Sequence, residues 1–546
     1  MKNNPDILLL ALYGDGMRNM LEEIGLCFIA SYLRKNNHNV TLMVVNDGKD
    51  NISENLDFVP DVIGITIYDV NKLSVYKICK ELKELFPDVI ICVGGSSVTY
   101  NSVKILEECS YIDYGIRGEG EYAFLMLMKY LQHQEAIHDI QGLTYRINNQ
   151  IVENPEQENF IDLESLPFPA RDILEQTNTK IAIISSSRGC KARCSFCASQ
   201  LLWRKWRGQS AKKVVDEIES IVTNYKIKAF DIIDDSFEDS FKDGNRMYDI
   251  ASEIIKRNLR IFYYIHIRGE FHKKANEELM QKLVDSGLSC ACIGIEAGNE
   301  LDLRLYNKTA RLNDIITSIH LLNQYNIALD PGFINFNPYS NFDRLRTNVE
   351  FLKNYGFAAN IEYLMTTSKL YKGTKLFEKV KSDNLLASDE NSNPGFYFLD
   401  PKIQPFHHFV VDYIQHQTNR NISNSFKAIT YFTTKRRIAI SCYKRLFNKP
   451  EHVNAYNLVL GYDKIHEQNC TILNNQIYKW FIELLELAED KWDIGEAEKI
   501  TENTLNEDFL VGTATTLNNE KNIFNKRLLK LNFGYSEHLL DYLAGS

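Results

Sequence analysis

Residues 187–197 read Ser187-Arg188-Gly189-Cys190-Lys191-Ala192-Arg193-Cys194-Ser195-Phe196-Cys197. The cysteines follow a C-x3-C-x2-C spacing, directly after an apolar run at 181–186 that predicts a strand. Three thiolates on one tight loop can hold three corners of a cubane cluster and leave the fourth iron without a protein ligand. An open iron can take a substrate or cofactor, as an open zinc position does. A zinc knuckle would want a fourth Cys or His nearby, and the nearest histidine, His266, falls on a different predicted strand. Three unrelated thiols are the remaining alternative. The spacing favours a [4Fe–4S] cluster held by Cys190, Cys194 and Cys197.

Outward from this loop the chain is long. Its 546 residues exceed one ordinary core and predict several domains. It is 44% hydrophobic and 25% charged, both globular values. A net charge of -10 argues against a general nucleic-acid binder. The apolar run Ile7–Leu12 leads into Tyr13-Gly14-Asp15-Gly16 and predicts a buried strand, not a signal peptide. No apolar stretch reaches membrane-spanning length, so no membrane partner and a cytoplasmic location are expected. The other eight of the 11 cysteines are scattered, which fits reduced thiols in apolar cores.

Residues 6–130 alternate short apolar strands with amphipathic helices, predicting a parallel sheet covered on both faces. Residues 135–178 are more polar and contain Leu166-Pro167-Phe168-Pro169, which predicts a linker with a small hairpin near Asn148-Asn149. A second alternating run predicts strands at 181–186, 229–234, 260–267, 289–296, 328–336 and 361–367, six βα units of a partial barrel. Beyond about 400, long amphipathic stretches such as 477–488 and 494–506 predict helices.

The motif C-x3-C-x-aromatic-C, with Phe196 at the aromatic position, resembles the radical S-adenosylmethionine (SAM) superfamily. That resemblance implies SAM on the open iron and its reductive cleavage to methionine and a 5′-deoxyadenosyl radical. It also implies an electron donor such as flavodoxin or ferredoxin. Asp234, Arg268 and Glu296 end three successive predicted strands and, with Phe196, are the expected SAM contacts. Gly294-Ile295-Glu296-Ala297-Gly298 is similar to a family segment, and Lys308 matches a recurrent family lysine.

The first domain resembles the cobalamin-binding domain of B12-dependent radical SAM enzymes. Its expected contacts are Asp15, Thr66, Tyr68, Gly94, Gly95, Glu119, Gly120 and Glu121, at the strand ends where a doubly wound sheet binds ligands. Family members that ligate cobalt by histidine carry D-x-H-x-x-G after the first strand. Here Gly14–Asn19 has none, so no histidine ligand from this domain is expected.

The expected fold is α/β. A Rossmann-like cobalamin domain spans 1–140, a linker 141–178, a partial (β/α)6 radical SAM barrel 179–395, and a mostly helical domain 396–546. The implied reaction is methylation of an unactivated carbon of a small molecule or peptide. Radical rearrangement or cyclisation, a methylthiotransferase, and a cobalamin sensor with a silent barrel are the alternatives.

Overall fold

The computed structural model describes residues 5–531 apart from 14–21, 47–51, 53–55, 159, 178, 241–244, 388–393 and 416–419. Seven strands build the first sheet: β1 (Asp6–Tyr13), β2 (Asn39–Asn46), β3 (Val62–Thr66), β4 (Ile90–Gly94), β5 (Tyr114–Ile116), β6 (Leu143–Ile147) and β7 (Gln150–Glu153). Their order is β2-β1-β3-β4-β5-β6-β7. The first five are parallel. Alternation along β1 serves two cores at once. Ile7, Leu9, Ala11 and Tyr13 face the helices Ile24–Lys35 and Gly120–Leu131, while Leu8, Leu10 and Leu12 face Lys72–Leu85 and Ser96–Glu108. A strand covered on both faces reads as a continuous apolar run, as β1 does.

The hairpin at Asn148-Asn149 is present, with both residues at positive φ (48° and 62°). That is the geometry of a type I′ turn. It is not part of a free linker. β6 pairs antiparallel with β5, Ile116 opposite Leu143, so the sheet continues to Glu153 past the boundary drawn at 140. Leu143 and Tyr145 bury against the β5 edge, a contact that the polar composition of the segment masks.

The second sheet holds β8 (Ile181–Ile184), β11 (Ala229–Ile232), β12 (Phe262–Arg268), β13 (Leu288–Glu296) and β14 (Ala328–Phe333), all parallel, in the order β14-β13-β12-β11-β8. A two-residue ribbon, β9 (Ser187–Arg188) with β10 (Arg207–Gly208), lies between β8 and β11 in the chain. The sixth strand expected at 361–367 is instead a short helix, Glu362–Met365, followed by a single bridge between Phe336 and Thr367. The Asn360 side chain accepts from the Glu362 amide at 3.1 Å and turns the chain there.

Among the described residues six α-helices follow: Ile403–Gln415, Arg420–Thr433, Lys435–Phe447, Val453–Lys491, Ile494–Thr504 and Glu507–Leu529. Five of them share one apolar core with the barrel, in which Trp480, Phe481 and Phe406 pack with Phe336 and Leu352, while Lys435–Phe447 buries Tyr443 and Phe447 in a separate cluster with Tyr462 and Phe524. The helix Lys435–Phe447 crosses the N-terminal ends of β13 and β14. Arg445 donates to the Leu288 carbonyl and Ser441 to that of Asn326. No described helix is long and apolar enough to cross a membrane.

Candidate active site

The cysteine loop leaves β9 at Gly189, whose φ is +85° and where a Cβ would stand 2.9 Å from the Lys205 carbonyl oxygen, so a side chain is excluded. The loop is pinned along its length. Gly189 N–H donates to Asp235 at 3.1 Å and Lys191 N–H to Asp239 at 2.7 Å. Ser195 N–H donates to the Tyr306 carbonyl at 2.8 Å, and the Phe196 ring meets Tyr306 edge-on at 5.2 Å. Phe196 therefore anchors the loop. Cys190, Cys194 and Cys197 are free and partly exposed. Burial pushes the Cys190 thiol up to about 11 and Cys197 up to about 12. Such thiols need a cationic partner to be thiolates, and iron supplies one. The three thiols with no fourth donor fit a cluster with one open iron.

The strand ends divide the expected SAM contacts. Arg268 is ion-paired with Glu238 and Asp239, both at 3.1 Å, and with Glu270 at 3.3 Å. Its positive field also reaches Cys190. Glu296 sits at φ +64°, where the β13 register slips, and meets Lys308 Nζ at 3.2 Å. Lys308 is buried, and Glu296 and Cys194 hold its ammonium above the usual range against the cost of desolvation. Asp234 is a correction. One carboxylate oxygen accepts from the Ser186 and Ser187 amides, both at 2.8 Å, and the other from their hydroxyls at 2.6 and 2.7 Å. Only 1% exposed, it ties down the root of the cysteine loop and has no face free for SAM.

The C-terminal ends of the first sheet open onto a cavity of about 250 Å³. Thr66, Tyr68, Gly94, Gly95, Glu119, Gly120 and Glu121 all line it, as the sequence predicts, and Asp15 lies outside the described residues. Gly25 leaves open space where a Cβ would stand, room that a large flat cofactor can fill, and a Cβ on Gly94 would come no nearer than 3.8 Å, to the Ile116 carbonyl. Gly95 turns at φ +98°, and a Cβ there would meet Thr66 Cγ2 at 2.8 Å and the Ile67 carbonyl at 2.9 Å. The Tyr68 hydroxyl donates to Glu23 at 2.9 Å. The far wall is contributed by the barrel side: Ser185, Arg188, Trp203 and Ile233. The crevice thus reaches the root of the cysteine loop at Arg188, and its residues suit a bound cobalamin.

Glu119 and Glu121 line the cavity, but their carboxylates serve as counterions. Arg188, two residues before Cys190, pairs with Glu119 at 3.3 Å and with Glu121, and Arg207 also pairs with Glu119. The Arg188 guanidinium lies over Phe28 at 5.1 Å and Trp203 at 5.3 Å. A second buried group joins the two sheets: Arg171 pairs with Glu22 at 2.7 Å and with Glu217. Sequence reasoning missed both, because partners so far apart in the chain leave no local signal. The position of Arg188 beside the cysteine motif was the one available hint.

Two family profiles match: "B12 binding domain" over residues 5–127 and "Radical SAM superfamily" over 184–356. The chain is 27% identical to the uncharacterized methyltransferase PH0819 of Pyrococcus horikoshii, over 66% of this chain and 79% of that protein. It is 28% identical to the anaerobic magnesium-protoporphyrin IX monomethyl ester cyclase of Rubrivivax gelatinosus, over 56% of this chain and only 57% of the cyclase. A solved structure of the cobalamin-dependent SAM radical enzyme OxsB with aqua-cobalamin bound superposes with a TM-score of 0.70. The superposition covers 99% of this chain and 83% of that one at 19% identity, which establishes the shared fold. Carrying a B12-binding domain and a radical SAM domain, the protein belongs to the cobalamin-dependent radical SAM enzymes, with a [4Fe–4S] cluster, SAM and cobalamin as cofactors.

Proposed function

We propose that this enzyme methylates an unactivated carbon of a small molecule or peptide. The observation that carries the reading is the shared cavity wall, in which cobalamin-side glycines and Arg188, at the root of the cysteine loop, line one space. When bound, the cluster supplies the electron that cleaves SAM and cobalamin supplies a transferable methyl group. Cys190, Cys194 and Cys197 hold the iron, and Arg268, Lys308 and Glu296 are the charged groups positioned to orient SAM beside it. Asp234 and Asp235 fix the loop, and Trp203 and Phe28 exclude water around Arg188. The likeness to a methyltransferase over 79% of that relative's length supports methyl transfer.

The likeness to a cyclase keeps radical cyclisation as the second reading. The test is anaerobic protein reconstituted with iron, sulfide and hydroxocobalamin, reduced through flavodoxin or a chemical donor, and given SAM with a deuterated methyl group. The expected result is 5′-deoxyadenosine together with label on the cobalamin. Formation of 5′-deoxyadenosine with no label on cobalamin would favour the cyclase reading, and neither product would refute both.

A further inference from the structure

The segments that brace the cysteine loop carry charge of one sign. Residues 187–207 hold six arginines and lysines and no aspartate or glutamate. Residues 303–311 hold three, and residues 366–376 three more, again with no acid in either. The chain as a whole has the opposite sign, at -10. Hydrogen bonds bring the three segments together at Ser195, the residue after Cys194. Its N–H donates to the Tyr306 carbonyl at 2.8 Å and its hydroxyl to the Leu305 carbonyl at 2.6 Å, and its own carbonyl accepts from the Leu376 N–H at 2.8 Å. The Asn307 side chain donates to the Arg193 carbonyl at 2.7 Å.

Half of these twelve cations are engaged. Arg188 and Arg207 pair with Glu119, Lys308 with Glu296, Arg204 with Glu156, and Arg311 with Glu300 at 3.8 Å. Lys191 donates to the Ser240 carbonyl and lies over the Trp206 ring at 4.8 Å. The other six, Arg193, Lys205, Arg304, Lys369, Lys372 and Lys375, are exposed and have no ion-pair partner among the described residues. Arg193, Arg304 and Lys375 each stand within two residues of a bond onto Ser195 or of Ser195 itself. The exposed carboxylates of the helix Lys375–Ser382 and its cap are Glu378 and Asp383, and Asp383 is held by Lys379 at 2.8 Å. Leu301 is 54% exposed and shares a helix face with Arg304, three residues on. Gathering unpaired like charge costs self-repulsion, which a face bathed only by water has no reason to bear. An apolar side chain beside a charged rim is the make-up of a docking surface.

We propose that this face docks an acidic one-electron carrier protein of the flavodoxin or ferredoxin type. Seated here, the carrier lies against the loop that holds the cluster. One electron leaves the reduced carrier, which is oxidised by one equivalent, and the cluster is reduced by one; no bond is made or broken. Arg193, Arg304 and Lys375 steer the encounter, and Leu301 supplies the apolar contact. The inference rests on the cluster assignment and not on methyl transfer, and its readout is electron transfer, so the two can fail separately.

The test mixes anaerobic enzyme, loaded with its cluster, with reduced flavodoxin in a stopped-flow cell and follows the flavin semiquinone that appears. The rate is expected to fall steeply as salt is raised. The charge-reversed triple variant Arg193→Glu, Arg304→Glu, Lys375→Glu should react at least about tenfold more slowly at low salt, with the gap closing at high salt. The neutral triple variant, with glutamine at the same three positions, should fall between. Reduced methyl viologen, a small cation, should reduce the charge-reversed protein as fast as wild type, which shows the cluster intact. Lys77→Glu, Lys212→Glu, Lys479→Glu makes the same change in net charge at exposed sites on other helices and should leave the flavodoxin rate within about twofold of wild type. An unchanged flavodoxin rate in the charge-reversed variant, or equal slowing in the two charge-reversed proteins, would overturn the proposal. So would a single-stranded RNA oligonucleotide that binds wild type at the same salt and loses the charge-reversed variant while flavodoxin does not, since the face would then serve nucleic acid.

Discussion

Replacing Arg171 with methionine should loosen the joint between the two sheets. Arg171 donates to Glu22 at 2.7 Å and to the Ile183 carbonyl at 3.1 Å, and it also pairs with Glu217. Glu22 in turn accepts from the Ile183 amide at 3.0 Å. The side chains of Glu22 and Glu217 are 0% and 2% exposed, so the variant leaves two carboxylates in the interior without their cation. Removing one member of a buried ion pair costs about 3–5 kcal/mol. For a domain of this size that corresponds to a fall in Tm of roughly 6–20 °C. Tryptophan fluorescence during heating of anaerobic protein measures it. Burial raises the Glu217 carboxyl above its usual range even beside Arg171. Without the arginine its folded form takes up a proton more readily still, so the deficit should shrink as pH falls. The triple variant Glu22→Gln, Arg171→Met, Glu217→Gln should recover much of the loss. A Tm within about 2 °C of wild type for Arg171→Met, or no recovery in the triple variant, would refute the view that this triad clamps the sheets.

Gly95→Ala forces a side chain onto Thr66 and the Ile67 carbonyl at positive φ. It should cost about 1–3 kcal/mol and reduce the cobalamin retained, read from the absorption spectrum. Asp234→Ala should lower the iron and sulfide content, because the Ser186-Ser187 root is released. SAM affinity per assembled cluster should stay near wild type, and a selective loss of SAM binding would restore Asp234 as a SAM contact. Burial raises the Glu23 carboxyl to about 7. Its folded form then holds a proton that the unfolded chain releases, so this stability is complete below about pH 4.5, declines as pH rises, and is gone above about 7. The shift is worth about 3 kcal/mol, and Glu23→Gln should flatten the Tm profile across that window. Cys190→Ala, Cys194→Ala and Cys197→Ala should each abolish SAM cleavage, measured as 5′-deoxyadenosine.

The cysteine loop was legible because its spacing is local and its chemistry allows few alternatives. The first sheet was legible for a related reason: β1 is apolar on both faces and can only be a covered strand. Legibility ends where function depends on distant partners. Glu119 and Glu121 were placed correctly at the crevice, but Arg188 and Arg207, which claim their charges, come from the other side of the interface. Asp234 stands at the expected strand end, yet two adjacent serines occupy both its oxygens, a pairing that no periodicity reveals. The segment 361–367 has the apolar content of a strand, but it begins as a helical turn, where the Asn360 side chain accepts from the Glu362 amide.

The core shared by barrel and C-terminal helices also sets an order of events during synthesis. The first sheet is complete once Glu153 has left the ribosome and can fold early. The barrel cannot. Phe336 and Phe406 lack their cover until Phe481, within the helix Val453–Lys491, has been made; in the finished protein those rings lie 6.3 and 5.2 Å from Phe481. A nascent or truncated chain ending before 453 presents a large apolar face to chaperones and proteases. The cysteine loop is braced by that same barrel, through Tyr306 and Leu305. Maturation of the oxygen-sensitive centre is thereby deferred until the helix Val453–Lys491 is in place, which spares the cell a half-built barrel carrying a reactive cluster.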